Sequence, residues 1–236
     1  MSATDALASH GRSRRTGTLR AALKRAIDLT VAALALIALA PLFLVIALLI
    51  VLDSPGPVFY RADRVGFRGR SLRMLKFRKM RTDARGGALT VADDERLTRL
   101  GAWLVRTKLD ELPQLWHVLR GEMSLVGPRP ESPEYAERFA GAYEVILRVR
   151  PGLTGYTQLA FAREGAILDA QDPYTHYVTR LLPQKVALDR LYATGLSTRR
   201  DLRILGATIV TLVLRKPVAV NRATGRLTLR RRAGER

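Results

Sequence analysis

The run Val31-Ala-Ala-Leu-Ala-Leu-Ile-Ala-Leu-Ala-Pro-Leu-Phe-Leu-Val-Ile-Ala-Leu-Leu-Ile-Val-Leu52 decides how this chain is organised. Its 22 residues carry no charge. As a straight helix it spans roughly 33 Å, close to the ~30 Å hydrocarbon core of a bilayer. It is too long for the apolar region of a secretory signal, and no small-x-small cleavage site follows it. Pro41 sits in its middle, where proline removes a backbone donor and bends a helix. Both flanks are basic. Arg12, Arg14, Arg15, Arg20, Lys24 and Arg25 precede the run; Arg61, Arg64, Arg68, Arg70, Arg73, Lys76, Arg78, Lys79 and Arg81 follow it. Basic flanks favour the cytoplasmic side, so a helix that enters, bends at Pro41 and returns satisfies both. Prolines also occur in true spans, so a spanning helix and a re-entrant helix both stand at this point.

Outward from the run, the chain is basic without being hydrophilic. Its 236 residues carry a formal net charge of +19, yet 47% are hydrophobic and the mean hydropathy is −0.01. Wholesale disorder is excluded. The charge points to an anionic partner: nucleic acid, a membrane surface or a phosphorylated substrate. There is no cysteine, which excludes disulfides, Cys-ligated zinc, iron–sulfur clusters and Cys nucleophiles. His10, His117 and His176 do not lie at metal-pair spacing, so any metal is expected to be a hard cation on carboxylates.

The remaining pattern reads as α+β and mostly helical. Residues 1–18 read as a disordered basic tail and 19–53 as the membrane helix. Residues 54–215 form one domain, and 216–236 a basic C-terminal tail. Asp53-Ser-Pro-Gly-Pro57 is a turn. Val58–Val65 and Leu72–Met80 read as a short hairpin joined by Gly66-Phe-Arg-Gly69. Helices are expected over 94–106, from Asp110 to Gly121, and over 133–147, 174–193 and 198–214. Leu112, Leu115, Trp116 and Leu119 would share one face of the second. Ile204–Leu214 is too short to span a bilayer.

Asp110-Glu111 is the adjacent acidic pair placed at a helix start. One reading is structural, since Asp suits an N-cap and Glu a first turn. The other is chemical: a carboxylate that attacks phosphorus beside one that holds Mg²⁺ against a diphosphate. A helix N-terminus with Arg106 and Lys108 nearby would keep Asp110 ionised despite Glu111. Arg129 stands between two prolines, which stiffen its backbone for bidentate phosphate contact. Lys76, Arg78 and Arg150 also lie in or beside short structured motifs. Taken singly, each of these cations is as well explained as surface charge. His117 reads as a helix-face residue beside Trp116.

Several blocks in order then resemble a family. They are Lys24-Arg25-x-x-Asp28 before the Pro-broken helix, Gly56-Pro-Val-Phe-Tyr60, Arg64-Val-Gly66, Lys76-Phe-Arg-Lys-Met80 and Leu109-Asp-Glu-Leu-Pro-Gln114. Gly121-Glu-Met-Ser-Leu-Val-Gly-Pro-Arg-Pro130 and Arg150-Pro-Gly-Leu-Thr-Gly155 complete them. Together they resemble the bacterial sugar transferases, monotopic phosphoglycosyl transferases, from Lys24 to about Thr211. The resemblance implies transfer of a sugar-1-phosphate from a nucleotide diphosphate sugar, with uracil the expected base, to polyprenol phosphate, releasing a nucleoside monophosphate. It implies Asp110 as nucleophile, Glu111 as Mg²⁺ ligand, and Lys76 and Arg129 as phosphate ligands. It also implies a re-entrant helix hinged at Pro41, amphipathic surface helices, and the cytoplasmic face of the bacterial inner membrane. The compact form of the family is the one resembled.

Some positions depart from the family's usual pattern. Ala40 stands where Ser is common before the proline, Ala62 for Gln, Lys79 for Thr and His117 for Asn. Val105 replaces an Arg, for which the neighbouring Arg106 is the candidate substitute, about 100° away around a helix. Nucleic acid is not an expected partner: no nucleic-acid module is recognisable and aromatic residues make up 6%.

Overall fold

The computed structural model describes residues 3–229 except 88 and 93, with side chains from residue 18 onward. A single helix, α1, runs from Ala3 to Asp53. Its Ala- and Leu-rich sequence favours helix, and a nucleated helix extends at one hydrogen bond per residue. Two expectations change here. The segment read as a disordered tail is helical from Ala3, and Pro41 lies inside a continuous helix rather than at a break. Proline forfeits its own backbone donation, while the turns on either side persist.

One face of α1 lies against the rest of the chain. Lys24, Asp28, Ala32, Ala35, Leu36, Leu39, Phe43, Ile46 and Ile50 are buried or half-buried, at the three- and four-residue spacing of one helix face. The opposite face is apolar and exposed: Leu34 62%, Ile37 73%, Leu44 73%. The contact stripe from Ala32 to Ile50 covers about 27 Å of helix.

Strands β1 (Phe59–Val65) and β2 (Ser71–Phe77) form the expected antiparallel hairpin, with Tyr60 opposite Lys76. The connection turns through Arg68 and Gly69, both left-handed. Alternation puts Leu72, Met74 and Lys76 on the buried face of β2. Helix α2 (Arg99–Thr107) starts later than expected, because Thr98 supplies its cap by accepting the Gly101 N–H at 2.9 Å. It stops at Lys108 in the left-handed region. A 3₁₀ turn, Leu109–Gln114, leads into α3 (Leu115–Arg120), closed by Gly121 at φ 79°. Leu115 is buried but Trp116 is 50% exposed, so the expected Leu–Trp face is not formed. The tighter 3₁₀ turn changes the phase, and His117 and Val118 face inward instead.

Strand β3 (Ser124–Val126) pairs in parallel with β4 (Gly152–Thr154). A Cβ on Gly152 would lie 2.0 Å from the Gly127 nitrogen, so the two chains meet only as glycines. Helices α4 (Pro133–Glu137), α5 (Ala140–Ile146) and α6 (Tyr156–Ala160) follow. Helix α7 (Pro173–His176) passes through a π turn, Tyr177–Leu181, into α8 (Leu182–Thr194). The widened turn precedes Pro183, whose ring would crowd the preceding turn of a regular helix. Helix α9 (Thr198–Leu212) completes the core, which gathers Val118, Met123, Tyr177, Leu182, Leu188, Tyr192 and Ile204. A smaller cluster joins Ile46 and Ile50 of α1 to Phe77 and Leu104.

The segment read as a basic C-terminal tail forms a hairpin, β5 (Val218–Val220) with β6 (Leu227–Leu229). Val218 is buried, and Gly225 at φ 67° brings the turn against the Tyr156 ring. Residues 230–236 of that tail lie outside the described residues.

Candidate active site

Asp110 and Glu111 lie in the first turn of the 3₁₀ segment that Leu109 begins, just after the left-handed elbow at Lys108. Pro113 and Gln114 are buried, which anchors the far end of the turn. Asp110 is itself 3% exposed. Strand β2 delivers Lys76 from one side, and its Nζ donates to Glu111 Oε1 at 2.9 Å. The Gly127-Pro-Arg-Pro130 loop delivers Arg129 from another, and its guanidinium donates to the same oxygen at 2.9 Å. Lys79 Nζ stands 3.9 Å from Asp110 Oδ2.

The two carboxyls are driven apart electrostatically. Burial alone pushes Glu111 up, but the charges of Arg129 and Lys76 outweigh it and hold the carboxyl well below its ordinary range. Asp110 moves the other way: burial and the charge of Glu111 raise it, against Lys76, Lys79 and Lys108. Burial lowers both Lys79 and Lys108, partly offset by the two carboxylates. Lys76, Lys79, Lys108 and Arg129 thus surround one acidic pair. When all are charged the cluster is positive in excess, which favours an anionic ligand.

Behind Arg129 stands Asp189 of α8. Its Oδ1 accepts the Thr157 hydroxyl at 2.7 Å and the Arg129 backbone N–H at 3.3 Å. Burial pushes its carboxyl up to about 7, against these two hydrogen bonds and the charge of Lys185.

The structure brings together Lys76, Asp110, Glu111 and Arg129 of the residues singled out in the sequence. Arg78 goes elsewhere. Its guanidinium donates to the carbonyls of Ile50, Ser54 and Pro55, closing the end of α1. Strand β2 ends at Phe77, so the alternation that would have put Arg78 beside Lys76 has stopped. Arg150 donates to the Gly121 carbonyl at 2.8 Å and lies 5.1 Å from the Phe67 ring centroid. Its guanidinium braces the turn after α3. Arg106 is exposed in the last turn of α2. Among the described residues, none of these three forms an ion pair with Asp110 or Glu111. Sequence reasoning does not single out Lys79 or Lys108 as ligands. A signal exists for Lys108, which adjoins the Leu109–Gln114 turn, and none for Lys79, which lies past the end of the strand.

The basic block before the apolar run is also engaged. Lys24 donates to the Val126 carbonyl at 3.1 Å and pairs with Asp201 at 3.0 Å. Arg25 donates to the Val118 and Leu119 carbonyls at the end of α3. Asp28 accepts the Ser124 hydroxyl at 2.7 Å and the Leu125 N–H at 3.1 Å.

Comparison with known proteins gives the family. The chain is 42% identical over 197 residues to an undecaprenyl-phosphate glucose phosphotransferase of Komagataeibacter xylinus, covering 79% of this chain and 35% of that protein. It is 39% identical over 210 residues to an exopolysaccharide production protein of Rhizobium leguminosarum bv. phaseoli, covering 82% and 96%. It is 39% identical over 195 residues to a UDP-glucose:undecaprenyl-phosphate glucose-1-phosphate transferase of Caulobacter vibrioides, covering 80% and 69%. The chain thus spans about a third of the Komagataeibacter protein and nearly all of the Rhizobium one. The sequence pattern described as bacterial sugar transferase matches residues 19–215. A match that runs from the apolar helix through the Asp110–Glu111 turn to Arg215 places the chain in the bacterial sugar transferase family.

Proposed function

We propose that this chain transfers a sugar-1-phosphate from a UDP-sugar to undecaprenyl phosphate, through a phosphosugar carried on Asp110. The observation that supports it is the split acidic pair. Glu111 is pinned as an anion by hydrogen bonds from Lys76 and Arg129, while Asp110 beside it is buried and raised, with Lys79 at 3.9 Å as its ion-pair partner. An Asp110 oxygen attacks the phosphorus bearing the sugar, and the bond from that phosphorus to the oxygen bridging to the second phosphate breaks. UMP leaves with that oxygen. An oxygen of undecaprenyl phosphate then attacks the same phosphorus, the Asp110–phosphorus bond breaks, and undecaprenyl-diphospho-sugar is formed. Lys76, Lys79, Lys108 and Arg129 hold the phosphate oxygens and offset their charge throughout.

Mg²⁺ fits the donor set. No cluster of three His, Cys, Asp or Glu is present among the described residues, so an all-protein cage is not the arrangement. Mg²⁺ is commonly held by one or two carboxylates together with substrate phosphates and water. Both cationic contacts to Glu111 use Oε1, which leaves Oε2 for the ion. When bound, Mg²⁺ would neutralise charge on the diphosphate.

The membrane helix is proposed to be re-entrant with Pro41 as its hinge, at the cytoplasmic face of the inner membrane. Support comes from the basic flanks on both sides of the apolar run and from Pro41 within it, although the helix itself runs continuously through that residue. Tags at residues 5 and 236 should report the same side; opposite sides overturn the topology and leave the chemistry standing. For the reaction, enzyme in lipid nanodiscs is incubated with UDP-sugars, undecaprenyl phosphate and Mg²⁺, and UMP is measured. Asp110→Asn should abolish transfer while the protein stays in the membrane fraction. Transfer at the wild-type rate by Asp110→Asn would refute the covalent route.

A further inference from the structure

His117 is a buried imidazole that the reaction above does not use. Its Nε2 accepts the Leu75 backbone N–H at 3.0 Å. Its Nδ1 meets Glu122 Oε2 at 2.5 Å. Leu75 immediately precedes Lys76, whose ammonium reaches Glu111. Among the described residues strand β2 pairs only with β1, and Leu75 donates instead to His117 of α3. The ring therefore fixes β2 against the same 3₁₀–α3 unit that presents Asp110 and Glu111.

We propose that His117 is a positioning residue for Lys76, and that it holds the strand only while its ring is neutral. This rests on the phosphosugar-transfer reading of the site. The chemistry is one of donor and acceptor. To accept from Leu75, Nε2 must be unprotonated, and the ring proton then lies on Nδ1, where Glu122 accepts it. A protonated ring carries N–H on both nitrogens, so Nε2–H would confront Leu75 N–H with no acceptor between them. The edge of β2 loses its tie and Lys76 loses its register with Glu111.

The charged groups around the ring act in a definite sense. Glu122 favours the protonated ring, and Arg120 tempers it by donating to Glu122 Oε1 at 3.0 Å. On β2, Lys76 is directed to Glu111. From α1, Arg25 lies at the Val118 and Leu119 carbonyls, and Arg150 lies at the Gly121 carbonyl. Apart from Glu122, which meets the ring directly, the groups named are cations engaged with other partners. Glu122 and the Leu75 amide therefore compete for the state of one ring.

The test uses the full chain in nanodiscs. Asparagine at 117 offers an amide oxygen to Leu75 at every pH. Glu122→Gln keeps an acceptor for Nδ1–H but removes the charge that favours protonation. For wild type, kcat/KM for the nucleotide sugar relative to His117→Asn should fall roughly tenfold as the pH is lowered far enough to protonate the ring. In Glu122→Gln the same acid loss should move to lower pH, because the carboxylate facing Nδ1 is gone. Amide hydrogen exchange of the β2 segment, corrected for its intrinsic pH dependence, reads the tie without turnover. It should deprotect in acid for wild type and not for His117→Asn. If the acid limb is unmoved in both variants while exchange is also unchanged, the proposal is overturned. Acid deprotection of β2 in a wild type that forms no UMP would sustain the positioning role and overturn the transfer reading instead. If His117→Asn does not fold, the Glu122→Gln shift decides alone.

Discussion

Replacing Asp189 by Asn should flatten the dependence of stability on pH, and the size of the effect follows from the site. The carboxyl lies behind Arg129, with a folded pKa of about 7 against an ordinary 3.8. Burial is the main cause, and the Thr157 hydroxyl, the Arg129 N–H and Lys185 only partly offset it. A displacement of about three units corresponds to about 4 kcal/mol. Because the folded pKa is raised, folding favours the protonated acid. Its contribution is fully present below 3.8 and is lost as pH rises through about 7. Both hydrogen bonds fall on Oδ1. An Asn oxygen can accept them both. An unpartnered Nδ2 would lower stability equally at every pH, so the slope is the readout. Equilibrium unfolding followed from about pH 5 to pH 8 should show wild type losing about 2–3 kcal/mol more than Asp189→Asn. A difference between the two proteins that stays constant over that range would refute the assignment of this slope to Asp189.

Two further outcomes are expected. Asp28→Ala leaves the buried Leu125 N–H and Ser124 hydroxyl without their acceptor and should cost about 2–4 kcal/mol in the same unfolding measurement. Asp28→Asn, which can accept one and donate to the other, should recover most of it; equal losses would show that charge rather than hydrogen bonding matters there. Chelation with EDTA should stop UMP release and added Mg²⁺ should restore it, whereas turnover that persists in EDTA would remove the ion from the mechanism.

Much of the fold and site is legible in the sequence because it depends on local pattern. The charge-free run gives α1, alternation gives the hairpin and places Lys76 inward, and the Gly-Pro-Arg-Pro block gives a stiff Arg129. Local pattern fails where non-local contacts set the outcome. Arg78 and Arg150 look like phosphate ligands by composition, but each meets backbone carbonyls that only the tertiary fold brings near. The C-terminal segment reads as a charged tail because its apolar residues are few. Yet Val218 finds a place in the fold and Gly225 one against Tyr156. His117 carries no sequence signal of its role, since its partner on β2 is 42 residues away. The phase difference at Trp116 has a narrower cause. A 3₁₀ turn advances each residue farther around the axis than an α-helix does, so an α-helical wheel begun at Asp110 misplaces Trp116 and His117.

The same contacts bear on what α1 is for. Arg25 closes α3, the helix that continues from the Asp110–Glu111 turn. Asp28 and Lys24 hold β3, whose end launches the Arg129 loop. Arg78, two residues beyond Lys76, closes the far end of α1. Each element that brings a charged group to the site is therefore tied to the apolar helix within a few residues of that group. A tether would need one attachment and would tolerate slack. Three attachments, spread along both halves of the helix, instead make it part of the frame that sets distances among Lys76, Glu111 and Arg129. Part of the positive charge divides by position: Arg25 and Arg78 meet helix-end carbonyls, while Lys76, Lys79, Lys108 and Arg129 surround Asp110 and Glu111. In the proposed reaction a lipid-borne acceptor and a soluble donor meet at this site only if the apolar helix and the groups around Asp110 keep one geometry, which these contacts supply.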